Sequence, residues 1–404
     1  MLAASLCCAA LAAPAVEAWR QDLRFLASEL PRRHWKAFFK QDREVWNRAI
    51  DELDAALPQL DDDAALVGVM RVTSLLGDAH TAVATWERKP PLRDYPIVLR
   101  WFSDGVRVIA APADRPALVG ARLTAIGART AEEAWTAGAA LTAGENVASV
   151  RDKVPRLLTQ VEIVHGLGLG AAESATYHLQ TRAGDDVALE LQAPAAGTPP
   201  RLAPAPAAAP GELALRRLNR QLPYWWRALE EQHAVYIAYN SCTDDRAHPF
   251  GELVSQVLQA IDAQHLTCVV LDVRRNPGGN SAVIQPLLRG LEAREAINRR
   301  GGLYVLVGRA TYSSAHDNAL EFRRKTHALL VGEPTGCKPN SPGEVKRFTL
   351  PRSGLTVTYS TKFYALVEGD PPSLEPDIAV DETIDDVLAG RDPALAAALA
   401  RRTH

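Results

Sequence analysis

The stretch "YVLVGRATYSSAHDNALEF", Tyr304–Phe322, joins two periodicities. Tyr304 to Val307 is a short apolar run that reads as a buried strand, and it ends at Gly308. Beyond Ser314 the apolar residues return at helical spacing. The handover passes through Ser313-Ser314, and a serine there has two readings. Its hydroxyl can cap the helix, or it can be a nucleophile held at a strand end. Ser314, with Asp317 three residues later, has the form of a capping pair. That leaves Ser313 at the turn itself, where the amide of Ser314 can help bind an oxyanion. The arrangement follows the logic of a nucleophile elbow without its glycine signature.

The same alternation extends to both sides of this stretch. "AVYIAYN" from Ala234, "LTCVVLDV" from Leu266, "LYVLVG" from Leu303 and "ALLVGE" from Ala328 read as strands. Phe250, Leu253, Val254, Val257, Leu258 and Ile261 mark one helix face, and Val283, Ile284, Leu287, Leu288 and Leu291 another. Strands alternating with helices imply right-handed crossovers and a mostly parallel sheet buried on both faces, an α/β core. "RFTLPRSGLTVTYST" then reads as a hairpin around Ser353-Gly354.

Upstream the character changes. Trp19, Leu23, Leu26 and Leu30 recur at helical spacing, as do Val45, Ile50, Leu53 and Leu57. "LDDDAALVGVMRVTSLLG" is a helix with Asp61 to Asp63 at its positive end and a stop at Gly77. Residues 95–195 are β-rich, with turns at Asp104-Gly105 and Gly184-Asp185 and a helical insert near 150–168. "APAAGTPPRLAPAPAAAPGE" has no periodicity and reads as a linker or surface strap. The expected organisation is a helical segment over 19–90, a β-rich module over 91–198, a linker over 199–215, the α/β core over 216–390 and a tail over 391–404.

A chain of 404 residues exceeds one ordinary core. Its net charge of −3 gives no electrostatic footprint for nucleic acid. No apolar window of about 18 residues follows the N-terminus, so no spanning helix is expected. "MLAASLCCAALAAPAVEAW" resembles a secretory leader over residues 1–18, which implies export to a periplasmic or extracellular space. Cys242, Cys268 and Cys337 remain beyond it without CxxC spacing, and they read as small buried hydrophobes.

A second loop carries possible chemistry. In "DVRRNPGGN", Asp272–Asn280, Gly278 and Gly279 follow a strand and open a helix. Their amides can face an anion, or the pair simply supplies the φ freedom of a tight turn. "VVLDVRRNPGGN", "RATYSSAHDNALEF" and "ALLVGEPTGCKPN" together resemble the tail-specific, or C-terminal-processing, serine peptidases in order and spacing, relatives of which include the tricorn core protease and the interphotoreceptor retinoid-binding proteins. The resemblance implies a crotonase-like spiral for the core and a degenerate PDZ-like module over 91–198 that holds a peptide by strand addition.

The same resemblance implies roles for single residues. Ser313 matches the family nucleophile, and His316 stands where the family has a glutamate. Gly278 or Gly279 and the amide of Ser314 match the oxyanion donors. Lys338, 25 residues beyond Ser313, matches the lysine base of the processing peptidases. His80 of "GDAHT" matches the histidine of the tricorn branch, with Ala79 in place of its serine. Glu368 or Glu375 matches a supporting carboxylate. Of the two bases, a neutral imidazole near pKa 6.5 is already suited to pH 7, whereas a lysine must lose roughly 3 pK units, about 4 kcal/mol. His80 is therefore the favoured base and Lys338 the alternative. The other histidines, among them His34, His165 and His248, sit in no motif and read as structural or exposed. The implied activity is hydrolysis of peptides or proteins through an acyl-enzyme on Ser313, with no metal or organic cofactor. Two other readings stay open: an inactive relative that holds a peptide or apolar ligand, and an ester or acyl hydrolase on the same fold.

Overall fold

The apolar runs from Ala234 to Gly332 pair edge to edge into the middle of one sheet. The computed structural model describes residues 13–204 and 215–402. Most of the leader expected over 1–18, including Cys7 and Cys8, and residues 205–214 of the expected linker lie outside them. The chain forms two compact units.

One unit comprises Asn146–Asp152, Ala205–Asn340 and Leu366–His404. Its six-stranded sheet has the order Ile378–Ala379, Leu329–Gly332, Leu303–Val307, Cys268–Asp272, Ala234–Tyr239, Tyr224–Leu229. The first five strands run parallel, and Tyr224–Leu229 closes the edge antiparallel. Alternate side chains serve alternate faces. Val235, Ile237, Val269, Leu271, Val305 and Val307 pack under the helices Phe250–Ala263, Gln285–Glu292 and Ser314–Lys325. Tyr236, Val270, Tyr304 and Leu306 face the other way, onto Trp225, Ala394 and Ala398. Every residue of the three central strands is buried. That is why these segments read as unbroken apolar runs rather than as alternation. Helix Ser314–Lys325 is seated by Ala315, Ala319 and Phe322, all buried, and a fully buried Phe is worth about 1.5–3 kcal/mol.

The other unit comprises Met1–Glu145, Lys153–Pro204 and Ser341–Ala365. Its seven-stranded sheet runs Val98–Phe102, Gly105–Pro112, Arg122–Ile126, Ser174–Gln180, Asp186–Gln192, with both expected hairpins formed. Two short strands flank that path. One of them, Leu202–Pro204, pairs antiparallel with Gly105–Pro112. Part of the stretch read as linker is therefore a sheet strand, hidden in the sequence because its prolines and alanines carry no alternation. The helices Ala13–Arg33, Arg43–Ala56 and Asp62–Ser74 bury Leu23, Leu26, Leu30, Trp46, Leu66 and Met70 in one core with Phe348, Leu350 and Val357 of the distant hairpin. The third helix is capped by Asp61, whose carboxylate accepts the Ala64 amide at 2.8 Å. Among the described residues no helix is long and apolar enough to cross a membrane.

Candidate active site

Ser313 sits beyond the carboxyl end of Leu303–Val307, where open α/β sheets place their sites. The turn that carries it is braced from below. The buried Thr311 hydroxyl donates to the Val273 carbonyl at 2.9 Å and accepts the Gly308 amide at 3.0 Å. The Tyr312 amide donates to the Asn276 carbonyl at 3.0 Å. Ser313 itself has φ +51° and ψ −132°. A serine with positive φ stores strain on the order of 1–3 kcal/mol, and the surrounding structure must impose it. The helix begins at the next residue.

The capping pair read from the sequence is not formed. The N-cap residue is Ser313, which makes no side-chain cap bond, and Ser314 is already in the helix. The Ser314 hydroxyl instead donates to the Gly279 carbonyl at 2.7 Å and ties the helix start to the glycine loop. Ser314→Ala should accordingly lower unfolding stability by about 0.5–1.5 kcal/mol in chemical denaturation. An unchanged midpoint would show that this bond holds nothing.

The glycine loop lies against the serine turn. A Cβ on Gly278 would fall 2.7 Å from Ser313 Cβ and 3.1 Å from the Ser314 nitrogen. Gly278 also has φ +106° and Gly279 φ +134°, so both need glycine. The Gly278 amide is committed: it donates to the buried Asn276 side chain at 2.9 Å. Asn276 in turn donates to the Tyr239 carbonyl at 2.8 Å. The isolated bridge to Cys242 uses the Gly278 carbonyl and the Asn280 amide, not the Gly279 amide. Cys242 lies beneath, its thiol 3.5 Å from both Asn276 Oδ1 and Asn318 Oδ1. Burial pushes that thiol up to about 11, so it braces the loop as a neutral donor. Cys242, Cys268 and Cys337 are all buried, and among the described residues none is in a disulfide.

His80 belongs to the other unit, just before the short strand Ala82–Val83. Its amide donates to Asp78 Oδ1 at 2.9 Å, and its ring Nδ1 lies 3.8 Å from the same oxygen. Its carbonyl accepts the Thr358 hydroxyl at 2.8 Å. Asp78 is fully buried and accepts the Thr81 hydroxyl at 2.5 Å and His34 Nε2 at 3.0 Å. His34 Nδ1 accepts the Lys36 amide, which places its proton on Nε2 and makes it the donor to Asp78. Burial alone would raise the Asp78 carboxyl. The bond from His34, the charge of His80 and the Thr81 hydroxyl outweigh it and hold the group at about 2. Glu145 Oε1 accepts the Ala79 amide at 3.2 Å. Burial, and then the Asp78 charge, push Glu145 up to about 7.

Asp78, Glu145, Asn276 and Thr311 were not singled out in the sequence, whereas His34, read there as structural or exposed, is buried and bonded to Asp78. Asp78 stands inside the quoted "GDAHT", and Asn276 inside "DVRRNPGGN", so two of the four were within view. His34 and Glu145 come from far along the chain with no local signal. His165 Nδ1 pairs with Asp63 at 2.9 Å, and His248 is exposed, as their lack of motif suggested.

Lys338 extends its ammonium to Asp370 Oδ2 at 2.6 Å. Glu368 and Glu375 are both exposed. His316 is fully buried, with Nδ1 3.1 Å from Asp317 Oδ1.

No family model and no curated protein matches the sequence. Among solved structures, mature CPAF in complex with lactacystin aligns with a TM-score of 0.63 at 13% identity, covering 96% of this chain and 97% of that one. Mature CPAF alone aligns with a TM-score of 0.62 at 13% identity, over 95% and 96% of the two chains. The photosystem II D1 C-terminal processing protease gives a TM-score of 0.43 at 14% identity, over 94% and 98%. At such identity the likeness is one of fold: the chain carries, over nearly its whole length, the fold of mature CPAF.

Proposed function

We propose that the chain is a serine endopeptidase of the tail-specific type, with Ser313 as nucleophile and His80 as base. The observation that carries this reading is the backbone of Ser313, held at φ +51° on a strand-to-helix turn against the Gly278-Gly279 loop. In this reading Ser313 Oγ forms a bond to the peptide carbonyl carbon while His80 takes its proton. The C–N bond then breaks, the leaving amine receives that proton, and water hydrolyses the acyl-enzyme by the same steps in reverse. The amides of Ser314 and Gly279 bind the oxyanion, each worth roughly 10²–10³ in rate. Gly279 is preferred over Gly278 because the Gly278 amide is spent on Asn276. Asp78 fixes the His80 backbone and sets a permanent negative charge near the ring, which favours the imidazolium formed during attack. Glu368 remains the carboxylate suggested by resemblance. The core is a crotonase-like spiral in this reading. The PDZ-like segment 91–198 holds the substrate as an added strand, and a leader over 1–18 exports the chain.

A pH–rate profile tests the base. With His80, kcat/KM is lost on the acid side as the imidazole takes a proton, is abolished in His80→Ala and survives within a few-fold in Lys338→Met. An inactive Lys338→Met beside an active His80→Ala would transfer the role to Lys338.

A further inference from the structure

The cluster around His80 holds more carboxylate than a serine–histidine mechanism needs. Asp78, His80 and Glu145 each offer a ligand atom, and the three atoms lie within 4.8 Å of one another. Asp78 is fully buried and Glu145 is 9% exposed. Glu145 Oε1 is occupied by the Ala79 amide, but Oε2 is buried and has no hydrogen-bond partner. A buried carboxylate oxygen without a donor is costly unless a proton or a cation meets it.

We propose that Asp78, His80 and Glu145 form a zinc-binding site, and that zinc held there switches the chain off by occupying its base. The inhibitory half rests on the peptidase reading; the binding half does not. One imidazole nitrogen and two carboxylate oxygens make the three-protein-ligand set that zinc accepts, with a fourth position open to water. Calcium would need six to eight oxygens and magnesium a near-ideal octahedron, and neither suits three side-chain atoms of which one is nitrogen. Metal–ligand lengths of about 2.0–2.2 Å put tetrahedral ligand atoms roughly 3.4 Å apart. The side chains must therefore draw together by about an ångström, a displacement that rotations of His80 and Glu145 can supply. Asp78 is already anchored by His34 and Thr81, so it is the fixed point on which the site closes.

The test uses the full-length protein and zinc chloride in a calorimetric titration. The expected result is one zinc per chain for the wild type and at least 10-fold weaker binding for Glu145→Gln. That variant keeps the shape of the side chain, and its metal-free melting curve reports whether it folds. Cobalt(II) added to the wild type gives a second, variant-free reading. Its visible bands should be those of a nitrogen–oxygen site, without a thiolate charge-transfer band from Cys242, Cys268 or Cys337. No zinc binding, equal binding in Glu145→Gln, or a thiolate band would each overturn the site. Peptide hydrolysis measured with and without zinc separates the two claims. Zinc binding by a wild type that hydrolyses nothing would sink the peptidase reading and keep the site. Hydrolysis unaffected by saturating zinc would remove the switch.

Discussion

Ser313→Ala is expected to lower peptide hydrolysis by roughly 10⁴- to 10⁶-fold, the loss that follows removal of a nucleophile whose partners stay in place. Its melting temperature should stay within a few degrees of wild type, because the change removes one hydroxyl that makes no cap bond. Ser313→Gly is the sharper companion. It abolishes hydrolysis equally but releases the positive-φ strain, so it should be more stable than Ser313→Ala by about 1–3 kcal/mol in chemical denaturation. An ordinary N-cap also favours glycine over alanine, typically by about 1 kcal/mol, so the part of the difference beyond that reports the strain. If the two variants have equal stability, the turn stores no strain and the elbow interpretation loses its physical basis.

Gly278→Ala is expected to damage activity through a single added methyl group. The new Cβ meets Ser313 Cβ at 2.7 Å and the Tyr312 carbonyl oxygen at 3.0 Å. Both are held by the Thr311 and Asn276 bonds, so neither yields cheaply. A misplacement of about 1 Å at the reacting atom can cost 10²-fold in rate, and the backbone strain at φ +106° adds on the order of 1–3 kcal/mol of instability. Gly354→Ala separates these contributions. Gly354 also has positive φ, +71°, but a methyl group added there would meet nothing within 4 Å. It should lose stability and keep full activity. Equal activity losses in both variants would mean that general destabilisation, not the clash with Ser313, explains the effect.

The strands of the parallel sheet are legible in the sequence because both of their faces are buried, which leaves apolar runs such as "CVVL" and "LYVLV". The antiparallel edge Tyr224–Leu229 is not. Its Trp226 and Arg227 face outward enough to break the pattern. Ser313 is legible as a candidate from its place between a strand and a helix, but the task of Ser314 is not. Its spacing to Asp317 fits a cap only if the helix starts one residue later than it does. The surroundings of His80 show a different limit. His34 reaches Asp78 across 44 residues, and Glu145 reaches the Ala79 amide across 66. No local period encodes such pairs; the fold brings them together through the core that Leu26, Leu30 and Met70 share with the hairpin of Phe348 and Val357.

An activated nucleophile at Ser313 should react with a fluorophosphonate, so the decisive experiment treats the full-length protein with one and maps the adduct by peptide mass spectrometry. One phosphonylated residue is expected, Ser313, with labelling lost in Ser313→Ala and sharply slowed in His80→Ala. A label on Ser314 or elsewhere, or a folded wild type that takes no label while binding a peptide or apolar ligand, would contradict it.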